Sequence, residues 1–457
     1  MCLESAASRF RFEARYIQEV FFLYSFAIKV YGCQMNQYDA DKIRTALISR
    51  GANEADEDEA DVIIFVGCSI RDKAEHKVWS ELGHYGTRWA RSHRPVVAVT
   101  GCIAQNIGED MSSRYPWVRV VSGPRHIGWL PDAIEESLLT GKRVRNLDDD
   151  PRELHELAFA PLVRQYPWKA SVMISHGCDN FCTYCIVPYV RGRFASRPPQ
   201  EIQQEVRQLV QNGVKEVCLL GQNVDTYGKD LLNYSFADLL RDVAHIEGLK
   251  RLRFMTSYPT DFTADVVQAI AENKNICASI NLPIQAGSDR ILKAMNRRYT
   301  VEEYAAVVGT IRSGLPEVGL TSDLIVGFPG ETEEDFCQSM EALKRFRFDQ
   351  VHTAAYSPRQ GTPAAIMPDQ ILEDVKNRRL NDINALQTQL AREINEKLVG
   401  RTYEVLVDGM ALKGDFLQGR TQSDKVVLFE GPEDLKGRFV DVRILSADSW
   451  SLKGCLV

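Results

Sequence analysis

Three cysteines in one short run, Cys178-Asp179-Asn180-Phe181-Cys182-Thr183-Tyr184-Cys185, carry the strongest chemical signal in the sequence. Thiolates spaced four and three residues apart on one loop can hold three irons of a 4Fe–4S cluster and leave the fourth iron open to a small molecule. A structural zinc site is the alternative, with His176 as a further donor, although zinc usually gathers Cys-x-x-Cys pairs from two separate elements.

A second signal is spread over many residues. Gly32-Cys33, Gly67-Cys68 and Gly101-Cys102 each close an apolar run, at 26–31, 62–66 and 96–99. In a parallel α/β sheet the carboxyl ends of the strands share one edge, where ligands collect, so these three thiols are expected to converge. A glycine ahead of each lets the chain turn sharply off its strand. This predicts a second cluster with three protein ligands, Cys33, Cys68 and Cys102, and another open iron. Three unrelated core thiols are the plainer reading. Cys218, Cys277, Cys337 and Cys455 lie in apolar surroundings and read as core or incidental.

Polar residues mark other turns. Gly221-Gln222-Asn223, Gln285 to Ser288 and the stretch from Asp323 to Thr332 follow or span apolar runs, where the carboxyl face of a βα barrel meets its ligand. Plain βα turns with helix caps would look similar. Arg191, Arg193 and Arg197 form a basic cluster just past Cys185, echoed by Arg297-Arg298, and fit contact with phosphate. Solvated surface arginines are the ordinary alternative.

The elements that must position these groups show three rhythms, for an overall α/β fold. From 28 to 150, apolar runs alternate with amphipathic stretches at 41–50 and 73–90, as in a parallel βα sheet. Residues 151–167 read as a linker. From 168 to 398 the alternation repeats six times, with strands expected at 170–175, 216–220, 252–256, 278–283, 320–326 and 350–356, and a long helix at 369–398. Six such repeats suggest a partial (β/α)6 barrel, open on one side. From 399 to 457 strands at 403–407, 425–429 and 439–445 suggest a small closed β-barrel.

Composition sets the frame. The chain has 457 residues, 55 Lys+Arg against 62 Asp+Glu for a net charge of −7, 44% hydrophobic residues and 11 cysteines. That is globular composition, with cores too ample for a disulfide-stapled miniprotein. Cysteines this sparse point to a reducing, cytoplasmic setting where thiols can take metal. The apolar run after Val20 is far shorter than the roughly 20 residues that span a bilayer, so no membrane is expected. Arg9, Arg11 and Arg15 imitate a targeting segment, but Glu4, Glu13 and Glu19 intrude, and residues 1–27 read as an N-terminal extension. Basic residues of the last segment, among them Lys413, Arg420 and Lys425, are interleaved with acids and would not alone indicate an RNA binder. Without heptads, a monomer is expected.

Cys-x-x-x-Cys-x-x-Cys with Tyr184 before its last cysteine resembles the radical S-adenosylmethionine (SAM) motif. Together with Gly32-Cys33-Gln34-Met35-Asn36, Cys68-Ser69-Ile70-Arg71, Gly101-Cys102-Ile103-Ala104-Gln105 and the Arg191-Gly192-Arg193 run, the sequence resembles the radical SAM methylthiotransferase family over about 28 to 457. Gln34-Met35-Asn36 resembles its tRNA 2-methylthio-isopentenyladenosine synthase branch. Val66-Gly67 departs from the family's usual Asn-Thr, and Ala286 from a small polar residue; neither change removes a thiol.

The resemblance implies a cluster on Cys178, Cys182 and Cys185 that binds SAM, with Gly221, Gln222, Asn223, Tyr184, Gln285 and Asp323 contacting the cofactor. It implies an auxiliary 4Fe–4S cluster on Cys33, Cys68 and Cys102. It further implies a C-terminal TRAM domain that binds RNA, tethered so as to raise the effective concentration of the anticodon stem-loop carrying isopentenyladenosine. An electron donor such as flavodoxin is implied too. Another hypermodified adenosine, a ribosomal protein substrate, or a zinc-containing RNA-binding module without catalysis remain open at this point.

Overall fold

The computed structural model describes residues 24–69, 72–147, 163–255, 257–412 and 414–457, so most of the N-terminal extension and linker, and Ile70, Arg71 and Lys413, lie outside the described residues. Between Val163 and Arg164 the chain divides into two compact units.

The first unit is a parallel sheet. Its strands are β1 (Ser25–Tyr31), β2 (Asn53–Glu54), β3 (Val62–Gly67), β4 (Val96–Gly101), β5 (Val118–Ser122) and β6 (Val144–Asn146), in the order β2-β1-β3-β4-β5-β6. β3 and β4 are buried along their whole length, which is why their sequences are continuous apolar runs rather than alternating ones. One face buries Phe26, Ile64, Val66 and Ala98 against helix residues such as Ile43, Leu47 and Ile134. The other buries Ile63, Phe65, Val97 and Val99 against Val78, Leu82, Ile103 and Met111.

Two helices differ from expectation. The one expected at 41–50 begins at Gln34, directly behind Cys33. The one expected at 73–90 breaks into Asp72–Leu82, a single turn at Gly83–Tyr85, and Gly86–Ser92. Glycines at both breaks lower the helical preference there.

In the second unit β7 (Lys169–Met173), β10 (Glu216–Leu220) and β11 (Arg251–Phe254) pair in parallel. β12 (Ser279–Asn281), β13 (Gly319–Val326) and β14 (Gln350–Ala355) form a second parallel set, and a bridge between Leu252 and Ile276 joins the two sets. That makes the expected six-stranded partial barrel. A short antiparallel ribbon, β8 (Ser175–His176) with β9 (Ala195–Ser196), brackets the cysteine loop. The long helix spans Glu373–Glu396.

Five strands then close a barrel: β15 (Thr402–Met410), β16 (Leu417–Arg420), β17 (Val426–Phe429), β18 (Phe439–Ala447) and β19 (Leu452–Leu456), in the order β15-β16-β17-β19-β18. Val405, Val407, Leu417, Val427, Phe429, Val442, Ile444 and Leu452 fill it. This barrel is docked on the central one. Arg251 donates to the Arg420 carbonyl over 2.8 Å and to Glu404, Arg253 donates to the Thr421 and Gln422 carbonyls, and Lys215 donates to the Gly437 carbonyl over 2.7 Å. All three donors stand at or near the amino ends of β10 and β11, opposite the end where the cysteine loop leaves β8. Among the described residues no helix is long and apolar enough to cross a membrane.

Candidate cofactor-binding sites

Strand register brings the three N-terminal thiols to one edge. Tyr31 of β1 is level with Gly67 of β3, which is level with Gly101 of β4, so Cys33, Cys68 and Cys102 leave three adjacent strands side by side. A Cβ on Gly32 would come within 2.8 Å of the Cys68 Cβ. Gly101 has φ +85°, and a Cβ there would lie 2.7 Å from the Gly67 carbonyl, so only glycine fits this exit.

One buried side chain underlies all three exits. Asn36 Oδ1 accepts from Cys33 N and Sγ, both at 3.3 Å, and its Nδ2 donates to the Gly67 carbonyl at 3.2 Å. The same amide fills the space where Gly32 and Gly101 lack a Cβ. Sequence reading singled out the cysteines and missed this asparagine's part, because Cys-x-x-Asn is not the Ser/Thr-x-x-Glu/Gln pattern that marks a capping box in sequence. Cys33 caps the helix that starts at Gln34, and Cys102 opens Cys102–Arg114. Helix N-termini favour thiolates, and thiolates are what iron requires.

In the second unit, Cys178, Cys182 and Cys185 lie on one loop. Thr183 N and Oγ1 donate to the Met295 and Ala294 carbonyls, and Asn296 Nδ2 donates to the Phe181 carbonyl over 3.0 Å, so the loop is tied down on one flank. Burial pushes the Cys178 thiol up and the Cys185 thiol up to about 12. Loading with iron therefore has to displace protons. Among the described residues no three His, Cys, Asp or Glu side chains close round one point as a single ion demands. A four-iron cluster asks less, since each thiolate binds its own iron.

Three buried polar groups lie beside this loop. Ser175 Oγ, Gln222 Oε1 and Asn223 Oδ1 are buried without a hydrogen-bond partner. Unsatisfied buried acceptors are rare and costly, and a ligand is an ordinary reason for them. Asn223 Nδ2 donates to Asp261 over 2.7 Å, which fixes the direction of the amide. A Cβ on Gly221 would lie 2.8 Å from Ser175 Oγ, so this turn runs hard against β8. Ser175 is a residue that sequence reading missed.

Gln285 lies beyond the end of β12 and Asp323 within β13, and Gln285 N donates to the Asp323 carbonyl over 2.8 Å. Gln285 has φ +67°, a left-handed conformation that a non-glycine residue keeps only under constraint. The Asp323 carboxylate accepts from Asn281 over 3.1 Å. Tyr184 is half-buried, and burial raises its phenol well above the ordinary value while Arg297 opposes that rise.

The arginines separate into two kinds. Arg191 and Arg197 are buried; Arg197 donates to the Met173 carbonyl and pairs with Glu205 at 2.9 Å. Arg193 is exposed, lies over Phe181 and pairs with Asp179. Arg297, grouped above with a surface patch, is buried as well. Cys277 is buried and Cys218 half-buried, while Cys337 and Cys455 are exposed.

Comparison with known proteins follows the same division. Residues 25–123 match the uncharacterized protein family UPF0004, 172–343 the radical SAM superfamily and 396–457 the TRAM domain. The chain is 44% identical over 435 residues to the tRNA-2-methylthio-N(6)-dimethylallyladenosine synthase of Clostridium beijerinckii, covering 94% of this chain and 95% of that one. The chain belongs to the radical SAM methylthiotransferase family.

The synthase of Carboxydothermus hydrogenoformans is 43% identical over 438 residues, covering 95% of this chain and 99% of its own. A solved radical SAM methyltransferase, TsrM from Kitasatospora setae, has the same fold over 76% of this chain and 74% of its own, with a TM-score of 0.53 at 14% identity. As a member of this family the protein is an enzyme, and membership implies a 4Fe–4S cluster and SAM as its cofactors.

Proposed function

We propose that this methylthiotransferase places a methylthio group on carbon 2 of an isopentenylated adenosine beside the anticodon of tRNA, using two 4Fe–4S clusters and two SAM per product. Relatives named for this modification over nearly the whole chain support the substrate. The observation that carries the two-cluster reading is the alignment of Gly67 with Tyr31 and Gly101, which delivers Cys33, Cys68 and Cys102 to one sheet edge.

Cys178, Cys182 and Cys185 would hold one cluster and leave an iron open to SAM. When bound, cluster and SAM supply a 5'-deoxyadenosyl radical, the kind of reagent that an aromatic C–H bond demands. Ser175, Gln222 and Asn223 would accept hydrogen bonds from the methionine part of SAM, and the turn at Gly221 would keep that pocket narrow. Tyr184, Gln285 and Asp323 would complete the cofactor's surroundings. Cys33, Cys68 and Cys102 would hold the auxiliary cluster. Arg193, whose guanidinium reaches solvent, would meet phosphate together with the TRAM domain, while Arg191 and Arg197 are buried. A flavodoxin-like donor, a cytoplasmic location and a monomer complete the reading.

Mass spectrometry of nucleosides from digested tRNA tests it. Cells lacking the protein should accumulate isopentenyladenosine without its methylthio group, and restoring the gene should restore the modification. Unchanged tRNA nucleosides would reject the substrate.

A further inference from the structure

Arg297 is 8% exposed, and each of its polar contacts is defined. Nε donates to the Tyr299 hydroxyl over 2.9 Å, Nη2 to the Pro283 carbonyl over 2.9 Å, and Nη1 to Cys182 Sγ over 3.6 Å. The guanidinium stacks 4.2 Å from the Tyr258 ring centre and 5.1 Å from that of Tyr299. Tyr184, Tyr304, Cys178 and Cys185 are further titratable groups that feel its charge.

Among the described residues no carboxylate pairs with this buried cation. A guanidinium taken out of water without a counter-ion is expensive, and burial persists where an anion offsets it. Of the three acceptors, a carbonyl, a phenol kept neutral by burial and a sulfur, only the sulfur becomes a full anion, when it ligates iron.

We propose that Arg297 is a positioning residue that supplies the buried counter-charge of the cluster on Cys178, Cys182 and Cys185 and thereby raises its reduction potential. The inference rests on the reading that those thiols hold a cluster. Adding an electron makes the cluster more negative, so a fixed positive charge in low-dielectric surroundings favours the reduced form more than the oxidised one. The electron comes from an external one-electron donor; Arg297 itself neither gains nor loses one. Loop anchoring does not depend on it, because Thr183 and Asn296 make their own bonds there.

The test uses the full chain with Cys33, Cys68 and Cys102 replaced by Ala, reconstituted anaerobically and titrated with dithionite under spectroscopic control of the reduced cluster. With Arg297 intact it should bind about four irons. Arg297→Gln should keep the iron but lower the reduced-to-oxidised ratio at a given potential about tenfold, a shift of about 59 mV for one electron. Arg297→Lys, which keeps the charge, should fall between. An unchanged midpoint in iron-replete Arg297→Gln would overturn the proposal. Equal loss of iron in both variants would overturn it too, by showing that the side chain only holds the loop. A parent chain that binds no iron would sink the cluster reading, and this inference with it.

Discussion

Asn36 Nδ2 donates to the carbonyl oxygen of Gly67 over 3.2 Å, linking the first turn of the helix after β1 to the last residue of β3, its neighbour in the sheet. With its Oδ1 committed to Cys33, this one amide braces three Gly-Cys exits. Asn36→Ala should therefore destabilise the iron-free chain by about 1–3 kcal/mol, the penalty for leaving buried partners unsatisfied. In the reconstituted chain it should lower iron from about eight to about four per chain. Denaturant unfolding and iron analysis check both parts. A variant that keeps all its iron would show that the glycine turns suffice without the brace.

Asn223 is held by Asp261 so that its Oδ1 has no protein partner. If that oxygen awaits the ammonium of SAM, Asn223→Ala removes a charge-assisted bond worth about 1.5–3 kcal/mol. SAM affinity should fall by about 10- to 150-fold with iron content unchanged. Equilibrium dialysis of SAM against the reconstituted protein reads this directly. A Kd within twofold of the parent would exclude Asn223 from the pocket.

Asp225 gives a pH dependence with a definite sign. It is buried beside Tyr258 N, which donates to Oδ2 over 2.9 Å, and burial pushes its carboxyl up to about 8. From about pH 4 to about pH 8 the unfolded chain sheds this proton while the folded chain keeps it. Stability from this group is thus greatest below about pH 4 and drains away up to about pH 8. Asp225→Asn should remove that loss, so its stability relative to the parent should be higher at pH 8 than at pH 5. Urea unfolding of the iron-free chain at both values checks it. An equal difference at the two pH values would mean that Asp225 ionises normally in the fold.

Residues whose role is local were the ones legible in the sequence. Cys178, Cys182 and Cys185 stand within one loop, so their spacing is their geometry. β3 and β4 are buried on both faces, and their unbroken apolar runs say so. β16 and β19 went unread because Gly419 and Gly454 interrupt short stretches that are strands only through their neighbours; a Cβ at either would collide with the adjacent strand's backbone. Arg297 and Arg197 read from the sequence as phosphate contacts, with solvated surface charge as the alternative, because composition carries no information about burial. Only the tertiary fold supplies the Tyr258 ring over one and Glu205 beside the other. How the C-terminal barrel docks was not legible in the sequence for the same reason. The arginines that dock it belong to β11, and nothing in their local sequence names a distant carbonyl as their partner.

That docking yields a prediction about stability. Arg253 donates to Glu216 Oε2 over 3.0 Å and to the Thr421 carbonyl over 2.6 Å, with its side chain 10% exposed and that of Glu216 7% exposed. Removing one member of a buried pair costs up to about 3–5 kcal/mol when the other is left uncompensated, and here Glu216 keeps only the more distant Lys169 and Arg251. Arg253→Met should destabilise the iron-free chain by about that much. It should also expose the connection between the long helix and the closed barrel to protease before the rest of the chain. Replacing Glu216 by Met as well should recover part of the loss, because the carboxylate that has lost its nearest cation and keeps only Lys169 at 3.4 Å and Arg251 at 4.0 Å is then gone. If the double variant is as unstable as the sum of the singles, the Thr421 and Gln422 carbonyls, rather than Glu216, are what Arg253 chiefly serves.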